Sequence, residues 1–294
     1  MSFLSGFIAI VGPPNVGKST LLNRILGRKI AIVSPKPQTT RNRITGIYHG
    51  QGCQMVFMDT PGIHRTQTPL HKSMVSSAQS ALKEVDLIVL MIEMLHPHAP
   101  EIPIITSGIR KSKKPCVLVI NKIDKGPKEN LLPIIAAYSE TQSFKSVIPI
   151  SALTGDGIER LLRELKSMLR EGPAFFPEDT QTDQSESFAV AEMIREKIFL
   201  HTRQELPYSS AVTVERLEEV PGKNLVSISA RIHVESESQK GILIGRGGKM
   251  IKKIGQAARE DLEDFFGSRV FVELLVRVDE NWSKDLRTLR RLGY

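Results

Sequence analysis

The chain has 294 residues, is 40% hydrophobic and carries a formal net charge of +8 at pH 7. This length allows two globular domains, and no apolar run approaches the roughly 18 residues that a membrane-spanning helix needs. Residues 1–5 lack the basic start of a signal peptide. Cys53 and Cys116 fall in or beside predicted strands, so we expect two small buried hydrophobes. The seven histidines have no spacing typical of a zinc site.

The first predicted element is a buried strand over Phe7–Val11, and the loop Gly12–Ser19 follows it directly. The loop has the G-x-x-x-x-G-K-[ST] spacing of a phosphate-binding loop, with a helical pattern, Thr20–Leu26, behind it. Its glycines remove side chains where the backbone approaches a polyphosphate. Lys18 can reach the β- and γ-phosphates, and the Ser19 hydroxyl can bind Mg²⁺. The sequence therefore predicts a nucleoside triphosphate site. Its predicted contacts here are Gly12, Pro13, Pro14, Asn15, Val16, Gly17, Lys18, Ser19 and Thr20.

A second part of the phosphate site is predicted where the apolar strand Met55–Met58 ends, at Asp59, Thr60, Pro61 and Gly62. Asp59 is placed to hold a Mg²⁺-bound water. The Gly62 N–H can donate to the γ-phosphate. Loss of that hydrogen bond after hydrolysis would let the following segment relax, as in other nucleotide switches.

The base is indicated by Asn121, Lys122 and Asp124, which follow the apolar strand Val117–Ile120. A carboxylate at Asp124 can accept from N1–H and the 2-amino group of guanine, a pair of donors that adenine lacks. Asn121 can tie this loop to the phosphate loop, and the Lys122 stem can lie on the purine face. The motif ends a strand, where open α/β sheets bind ligands.

A third loop supports guanine. Ser151, Ala152 and Leu153 follow the strand Val147–Ile150, and the Ala152 N–H can face the guanine O6. Because strands and helices alternate throughout this half, we expect an α/β fold, a doubly wound and mostly parallel sheet.

These motifs in this order resemble the translation-factor-related GTPases, and Asn15 with Asp-Thr-Pro-Gly points to the subgroup that includes Era and TrmE. In the polar segment 31–44, spacing leaves Thr39 and Thr40 open as a Mg²⁺ ligand, and alignment with these relatives favours Thr40. Ile63 stands where Ras-like proteins carry the glutamine that positions water. The resemblance implies that K⁺, bound by Asn15, supplies the missing positive charge. No general base is expected; the residues expected to assist hydrolysis are Asn15, Lys18, Thr40 and Gly62. The predicted Mg²⁺ set is Ser19, Thr40 and, through water, Asp59.

The composition changes near the middle of the chain. Residues 172–186 are polar and contain prolines, which is typical of an interdomain linker. We therefore predict a P-loop GTPase domain over residues 1–171 and a second, α+β domain over residues 187–294. In the second domain the pattern predicts an amphipathic helix, Phe188–Glu205, followed by two alternating strands, two helical segments, a last strand and a basic helix.

The second domain contains an I-G-x-x-G-x-x-I motif from Ile244 to Ile251. In a KH domain this GXXG loop joins two helices and clamps a single-stranded RNA backbone. The alternative is an ordinary turn with lysines on a solvated helix face. Two strands before the motif and one after it favour a type II KH domain. The predicted RNA contacts are Ile244, Gly245, Arg246, Gly247, Gly248, Lys249, Lys252, Lys253, Arg287 and Arg290.

The charge is unevenly distributed between the halves. Residues 181–294 contain equal numbers of acidic and basic residues, so the whole excess of positive charge lies before them. We therefore expect the KH half to contact RNA through local charge beside the GXXG loop. The basic run at residues 110–114 in the GTPase half suits contact with rRNA, although plain solvated surface explains it nearly as well.

A single phosphate-loop GTPase domain followed by one KH domain resembles the Era family over the whole chain. The resemblance implies a monomeric small-subunit assembly factor that binds GTP or GDP, the 3′ end of small-subunit rRNA and the pre-30S subunit. It also implies a cytoplasmic location, with some peripheral association with the inner face of the membrane. A second hypothesis stays open at this point: an RNA-binding module in which the nucleotide mainly stabilises the fold.

Overall fold

The computed structural model describes residues 2–34, 36, 40–61, 80–141 and 144–292. The chain forms two compact units, one built mainly from residues 1–183 and the other mainly from residues 184–294. This boundary falls inside the predicted linker. Among the described residues, no helix is both long and apolar enough to cross a membrane.

The first unit contains a seven-stranded sheet with the order β2-β3-β1-β4-β5-β6, and the short β7 pairs with the start of β1. All neighbours along this order are parallel except β2 and β3, which are antiparallel, as are β1 and β7. The strands are β1 (Leu4–Val11), β2 (Ile44–Gly50), β3 (Cys53–Asp59), β4 (Leu87–Glu93), β5 (Cys116–Asn121), β6 (Ser146–Pro149) and β7 (Arg170–Glu171).

The central strands are apolar along their whole length because the sheet is buried on both faces. Cys53 and Cys116 are buried free thiols at the starts of β3 and β5, as expected from the sequence. The labelled helices of this unit are α1 (Lys18–Leu26), α2 (Ile102–Ser112), α3 (Leu131–Thr141) and α4 (Ile158–Ser167). A further helix is described over residues 80–84.

The strand order places the predicted motifs at one edge of the sheet. β3 and β4 lie on opposite sides of β1, so the order reverses there. A crevice forms at such a switch point, outside the carboxyl ends of the strands. The phosphate loop leaves β1 at this point, and the motifs at Asp59, Asn121 and Ser151 follow β3, β5 and β6.

The predicted linker is largely bound to the first unit. The Gln54 side-chain oxygen accepts from the N–H of Phe175 and of Phe176, at 2.7 and 3.1 Å. Further along, the Ile47 N–H donates to the Gln181 carbonyl over 2.8 Å. Residues 172–183 therefore extend the GTPase unit, because their backbone groups find partners there.

The second unit contains a three-stranded sheet with the order β10-β9-β8, in which β9 is antiparallel to β8 and parallel to β10. Its strands are β8 (Ala211–Glu219), β9 (Leu225–Val234) and β10 (Arg269–Val278). Its helices are α5 (Glu186–His201), α6 (Glu237–Ile244), α7 (Lys249–Phe266) and α8 (Leu286–Arg291).

Helix α5 differs from a simple amphipathic helix because it buries charged residues as well as apolar ones. Arg195 is fully buried and donates to both carboxylate oxygens of Glu192 at 2.6 Å. Lys197 pairs with Asp261 of α7 at 2.6 Å. Trp282 is also fully buried, and its indole N–H donates to the Ser209 carbonyl over 2.9 Å. Buried charges have to be paired. Arg195 with Glu192 and Lys197 with Asp261 meet this requirement, so these charged residues of α5 need not lie on an exposed face.

Candidate functional sites

The side chain of Lys18 lies inside the phosphate loop. It is buried, and its Nζ donates to the carbonyls of Gly12 at 3.1 Å and Pro13 at 3.0 Å. Burial lowers the pKa of Lys18 to about 8, although the carboxylate of Asp59 acts in the opposite direction. Two carbonyls therefore hold the ammonium group within the loop. A bound phosphate oxygen can replace them as its partner.

The two glycines of the loop are also required by protein packing. A Cβ at Gly12 would lie 2.5 Å from the carbonyl oxygen of Met91 in β4. A Cβ at Gly17 would lie 2.4 Å from the amide nitrogen of Asn121, and Gly17 has a φ of +102°. The sequence predicts these glycines only from their close approach to phosphate. The structure adds a second cause, since a side chain at either position would push the loop away from its neighbours.

Ser19, Thr40 and Asp59 meet beside the phosphate loop. Asp59 Oδ2 accepts from the Ser19 hydroxyl at 2.6 Å and from the Thr40 hydroxyl at 3.4 Å. Asp59 Oδ1 is buried and has no hydrogen-bond partner among the residues that the structure describes. Burial raises the pKa of this carboxyl group to about 6. Mg²⁺ prefers such oxygen ligands and bound water, so the three residues fit a Mg²⁺ site. Thr39, Gly62 and Ile63 lie outside the described residues.

Asn121 connects three loops. Its Nδ2 donates to the Val16 carbonyl over 2.7 Å, which is the predicted tie to the phosphate loop. Its Oδ1 accepts from the Ala152 N–H over 2.9 Å. This second contact differs from the expectation, since the Ala152 N–H was expected to face the guanine O6. The Ser151 hydroxyl donates to Asp124 Oδ1 over 2.6 Å, so the two predicted base loops are directly joined.

Two further predicted contacts have their own neighbours. Lys122 has a left-handed backbone, with a φ of 65°, and its ammonium group lies 2.5 Å from a carboxylate oxygen of Glu93. Thr60 is fully buried and donates to the Ile10 carbonyl over 3.0 Å. Leu153 is 66% exposed at the rim.

Sequence reasoning missed three polar residues that support these loops. Glu93 binds Lys122. Asn23 on α1 accepts from the N–H groups of Ile30 and Ala31 at 3.0 and 2.9 Å. Arg24, also on α1, donates to the carbonyls of the Ser151 loop. No local pattern marks these residues. Glu93 and Arg24 act on groups 29 and 128 positions away, and Asn23 acts on loop backbone beyond the end of its own helix.

The GXXG loop lies between α6 and α7, as predicted. Gly245, Gly247 and Gly248 have φ values of 71°, 61° and 75°. A Cβ at Gly245 would lie 2.8 Å from Cβ of Met250, whereas Gly247 and Gly248 face open space. The first glycine is therefore required by the turn itself, and the later two leave room for a ligand to approach the backbone.

Four exposed cations lie on this loop or on the first turns of the helix that follows it. None of them has a hydrogen-bond or ion-pair partner among the described residues: Arg246, Lys249, Lys252 and Lys253. Ile244 is half-buried at the start of the loop. Arg287 and Arg290 are exposed on α8. The loop thus has the free positive charge that a phosphate backbone requires.

Comparisons with known proteins find a matching family for each unit. Residues 7–122 match the family described as 50S ribosome-binding GTPase, and residues 205–283 match the KH domain family. The GTPase Era of Syntrophus aciditrophicus (strain SB) is 54% identical over 295 residues, which cover 99% of this chain and 95% of that protein. The chain belongs to the Era family of GTPases. The GTPase Era of Geotalea uraniireducens (strain Rf4) is 53% identical, with 99% and 98% of the two chains covered.

Two solved Era structures have the same architecture. One is a variant of Aquifex aeolicus Era bound to GDP and AlF4⁻, and the other is Era with MgGDPNP and nucleotides 1506–1542 of 16S ribosomal RNA. Each has a TM-score of 0.96 at 39% identity and covers 99% of both chains. The predicted fold, a P-loop GTPase domain followed by a KH domain, and the predicted GTPase activity are confirmed.

Proposed function

We propose that this GTPase binds GTP along the carboxyl edge of its parallel sheet and couples hydrolysis to binding of the 3′ end of small-subunit rRNA. The observation that carries this proposal is the meeting of Ser19, Thr40 and Asp59 beside the phosphate loop, with Asp124 and Ser151 joined in the base loops. The phosphate contacts are residues 12–20 and 59–62, and the base contacts are Asn121, Lys122, Asp124, Ser151, Ala152 and Leu153.

The phosphate end of the site stabilises negative charge. Lys18 exchanges its two carbonyl partners for phosphate oxygens. The hydroxyls of Ser19 and Thr40 and, through a bound water, the carboxylate of Asp59 are the protein groups that would hold Mg²⁺. When bound, Mg²⁺ offsets the charge on the β- and γ-phosphates. Within the described part of the chain Asp59 Oδ1 has no hydrogen-bond partner, and this role would account for its burial.

A second cation belongs to the proposal. Asn15 is exposed on the phosphate loop with a φ of 61°, and its side-chain oxygen is a suitable ligand for K⁺. A K⁺ ion there would offset charge that develops between the β- and γ-phosphates. We propose this ion because the apolar side chain of Ile63 cannot orient the attacking water. Hydrolysis without a general base is then slow in the absence of a stimulating partner.

The KH unit provides the RNA site. Its support is the GXXG loop with exposed cations, together with the Era structure that holds nucleotides 1506–1542 of 16S rRNA. We further propose that the protein binds this RNA within the pre-30S subunit. We also propose that the protein acts as a monomer in the cytoplasm, with peripheral contact to the inner membrane face through its net charge of +8.

The alternative function, an RNA-binding module with a structural nucleotide, is separated by one experiment. GTP turnover is measured in K⁺ and in Na⁺, each with and without an oligonucleotide of the rRNA 3′ end. A catalytic switch requires turnover that rises with K⁺ and changes when RNA binds. Turnover that is insensitive to both the cation and RNA, in protein that still binds RNA, would favour the structural role.

A further inference from the structure

Arg24 joins helix α1, which follows the phosphate loop, to the loop formed by Ser151, Ala152 and Leu153 (the Ser151 loop). Helix α1 begins at Lys18 and carries Arg24 less than two turns further on. The Arg24 Nε donates to the Ala152 carbonyl over 3.3 Å, and its Nη2 donates to the Leu153 carbonyl. Because guanidinium is planar and presents several donors in a fixed geometry, it can hold two successive carbonyls at once.

The other hydrogen bonds of this loop come from its own backbone and from Asn121. The Ser151 N–H donates to the Asp156 carbonyl over 2.9 Å, and the Gly155 N–H donates to the Ser151 carbonyl over 2.8 Å. The Ala152 N–H is held by Asn121. These bonds fix the shape of the loop and its distance from β5. Arg24 adds a connection to the helix that carries Lys18 and Ser19.

We propose that Arg24 is a positioning residue for base specificity. It holds the Ser151 loop against α1, so that the Ser151 hydroxyl keeps Asp124 oriented toward the base. The proposal rests on the guanine placement described above. The hydrogen bonds of Arg24 go to the Ser151 loop, so we expect it to affect dissociation of the nucleotide base rather than hydrolysis.

The expected change is in dissociation of the base. Arg24→Ala removes two charge-assisted hydrogen bonds at an exposed site, so GDP should dissociate roughly five- to tenfold faster. Inosine diphosphate lacks the 2-amino group that Asp124 binds, so its dissociation should change about twofold or less. The preference for GDP over inosine diphosphate should therefore fall. Single-turnover hydrolysis of bound GTP should stay within about twofold, which separates binding from chemistry.

The test measures dissociation of fluorescent GDP and inosine diphosphate from the full chain by stopped flow. Arg24→Lys keeps the charge without the planar fork, so its GDP rate should lie between wild type and Arg24→Ala. Arg28→Ala is the matched control: Arg28 lies just beyond the end of α1, and its guanidinium binds the Gln181 side chain at 3.3 Å, outside the Ser151 loop. Its rates should match wild type.

A GDP rate for Arg24→Ala within twofold of wild type would overturn the proposal. Equal acceleration of both nucleotides would overturn it too, since that result indicates general loosening of the fold. The guanine placement is checked separately with Asp124→Asn. If that variant changes base preference and Arg24→Ala does not, only the role of Arg24 fails; if Asp124→Asn has no effect, the placement itself fails.

Discussion

The hydroxyl of Ser151 donates to the carboxylate of Asp124 over 2.6 Å, although the two residues are 27 positions apart. The Thr154 N–H in turn donates to the Ser151 oxygen over 3.1 Å, which leaves the hydroxyl proton free to point at Asp124. Asp124 is thereby fixed as an acceptor at the end of the base loops. The carboxylate oxygens of Asp124 still have lone pairs that can accept hydrogen bonds from two purine N–H donors.

Asp124→Asn should therefore change the base that is preferred. The amide cannot accept from both N1–H and the 2-amino group, and its own N–H can donate to the 2-carbonyl of xanthine. We expect GTP affinity to fall by roughly 100-fold while binding of xanthosine triphosphate appears. Competition of both nucleotides against fluorescent GDP measures this. Asp156→Asn, an equivalent change at an exposed carboxylate nearby, should leave the preference as it is. Wild-type GTP affinity in Asp124→Asn would contradict the placement of the base.

Asn15→Ala should remove most of the stimulation by K⁺. The side chain lies on the phosphate loop with a left-handed backbone, and its oxygen is the proposed ligand of K⁺. GDP affinity should stay within about threefold, because backbone N–H groups and Lys18 supply most of the phosphate binding. The measurement is steady-state GTP turnover in K⁺ and in Na⁺, beside GDP binding. Equal wild-type rates in the two salts would already rule out the K⁺ role.

Replacing Arg246 and Gly247 by aspartates should abolish binding of the rRNA 3′ end. Two carboxylates would then face phosphates, while the Cβ at position 247 meets no atom within 4 Å. Basal GTP turnover should change less than twofold, since the GTPase unit has its own core. Replacing Gly222 and Lys223 by aspartates is a matched control, because Gly222 also has a left-handed φ, 73°, and open space.

The paired measurement is RNA affinity at several salt concentrations. Lys252→Ala should weaken binding of all sequences and lower the salt slope by about one charge. The Gly222 and Lys223 double variant should bind as wild type. Undiminished binding by the Arg246 and Gly247 double variant would mean that the loop is only a turn between α6 and α7.

Affinity for Mg²⁺ and GTP should be greatest between about pH 6 and pH 8. Burial raises the pKa of Asp59 to about 6 and lowers the pKa of Lys18 to about 8. Below the first value Asp59 must lose a proton on binding, and above the second Lys18 must gain one. Each limb should therefore fall by about tenfold per pH unit. Binding is measured by calorimetry across pH 5 to 9. Asp59→Asn is the control, because the nucleotide phosphates still titrate in that variant while residue 59 does not. An acidic limb equally steep in Asp59→Asn would contradict the assignment.

The same shift affects the ligand-free fold. The folded pKa of Asp59 lies above the ordinary value of 3.8, so the folded state keeps its proton over a window in which the unfolded chain loses it. The contribution of Asp59 to the free energy of unfolding should therefore fall as pH rises from about 4 to 6.

The strand ends and their motifs could be predicted from sequence because each combines an apolar run with a fixed spacing of polar residues. The predicted strand Phe7–Val11 ends at the same residue as the observed β1, and the predicted strand Val117–Ile120 lies within β5. The binding of residues 172–183 to the GTPase unit could not be predicted. It depends on Gln54 accepting from backbone N–H groups more than 120 positions away, and a polar stretch with prolines has no periodicity that reveals such a partner.

Arg24 and Glu93 escaped prediction for a related reason. Each is one charged residue at the end of a side-chain hydrogen bond, on an element whose apolar pattern is explained without it. The buried charges of α5 were also missed, because Lys197 becomes a core residue only through Asp261 on α7. Tertiary pairing of this kind leaves no local signal.

The single tryptophan of the chain, Trp282, is buried in the second unit and bonded to Ser209. Intrinsic indole fluorescence therefore comes from the KH unit alone. The emission of this residue should shift to longer wavelength when that unit unfolds and stay constant when only the GTPase unit loosens. A denaturation curve read at this one chromophore assigns lost stability to a unit without any attached label.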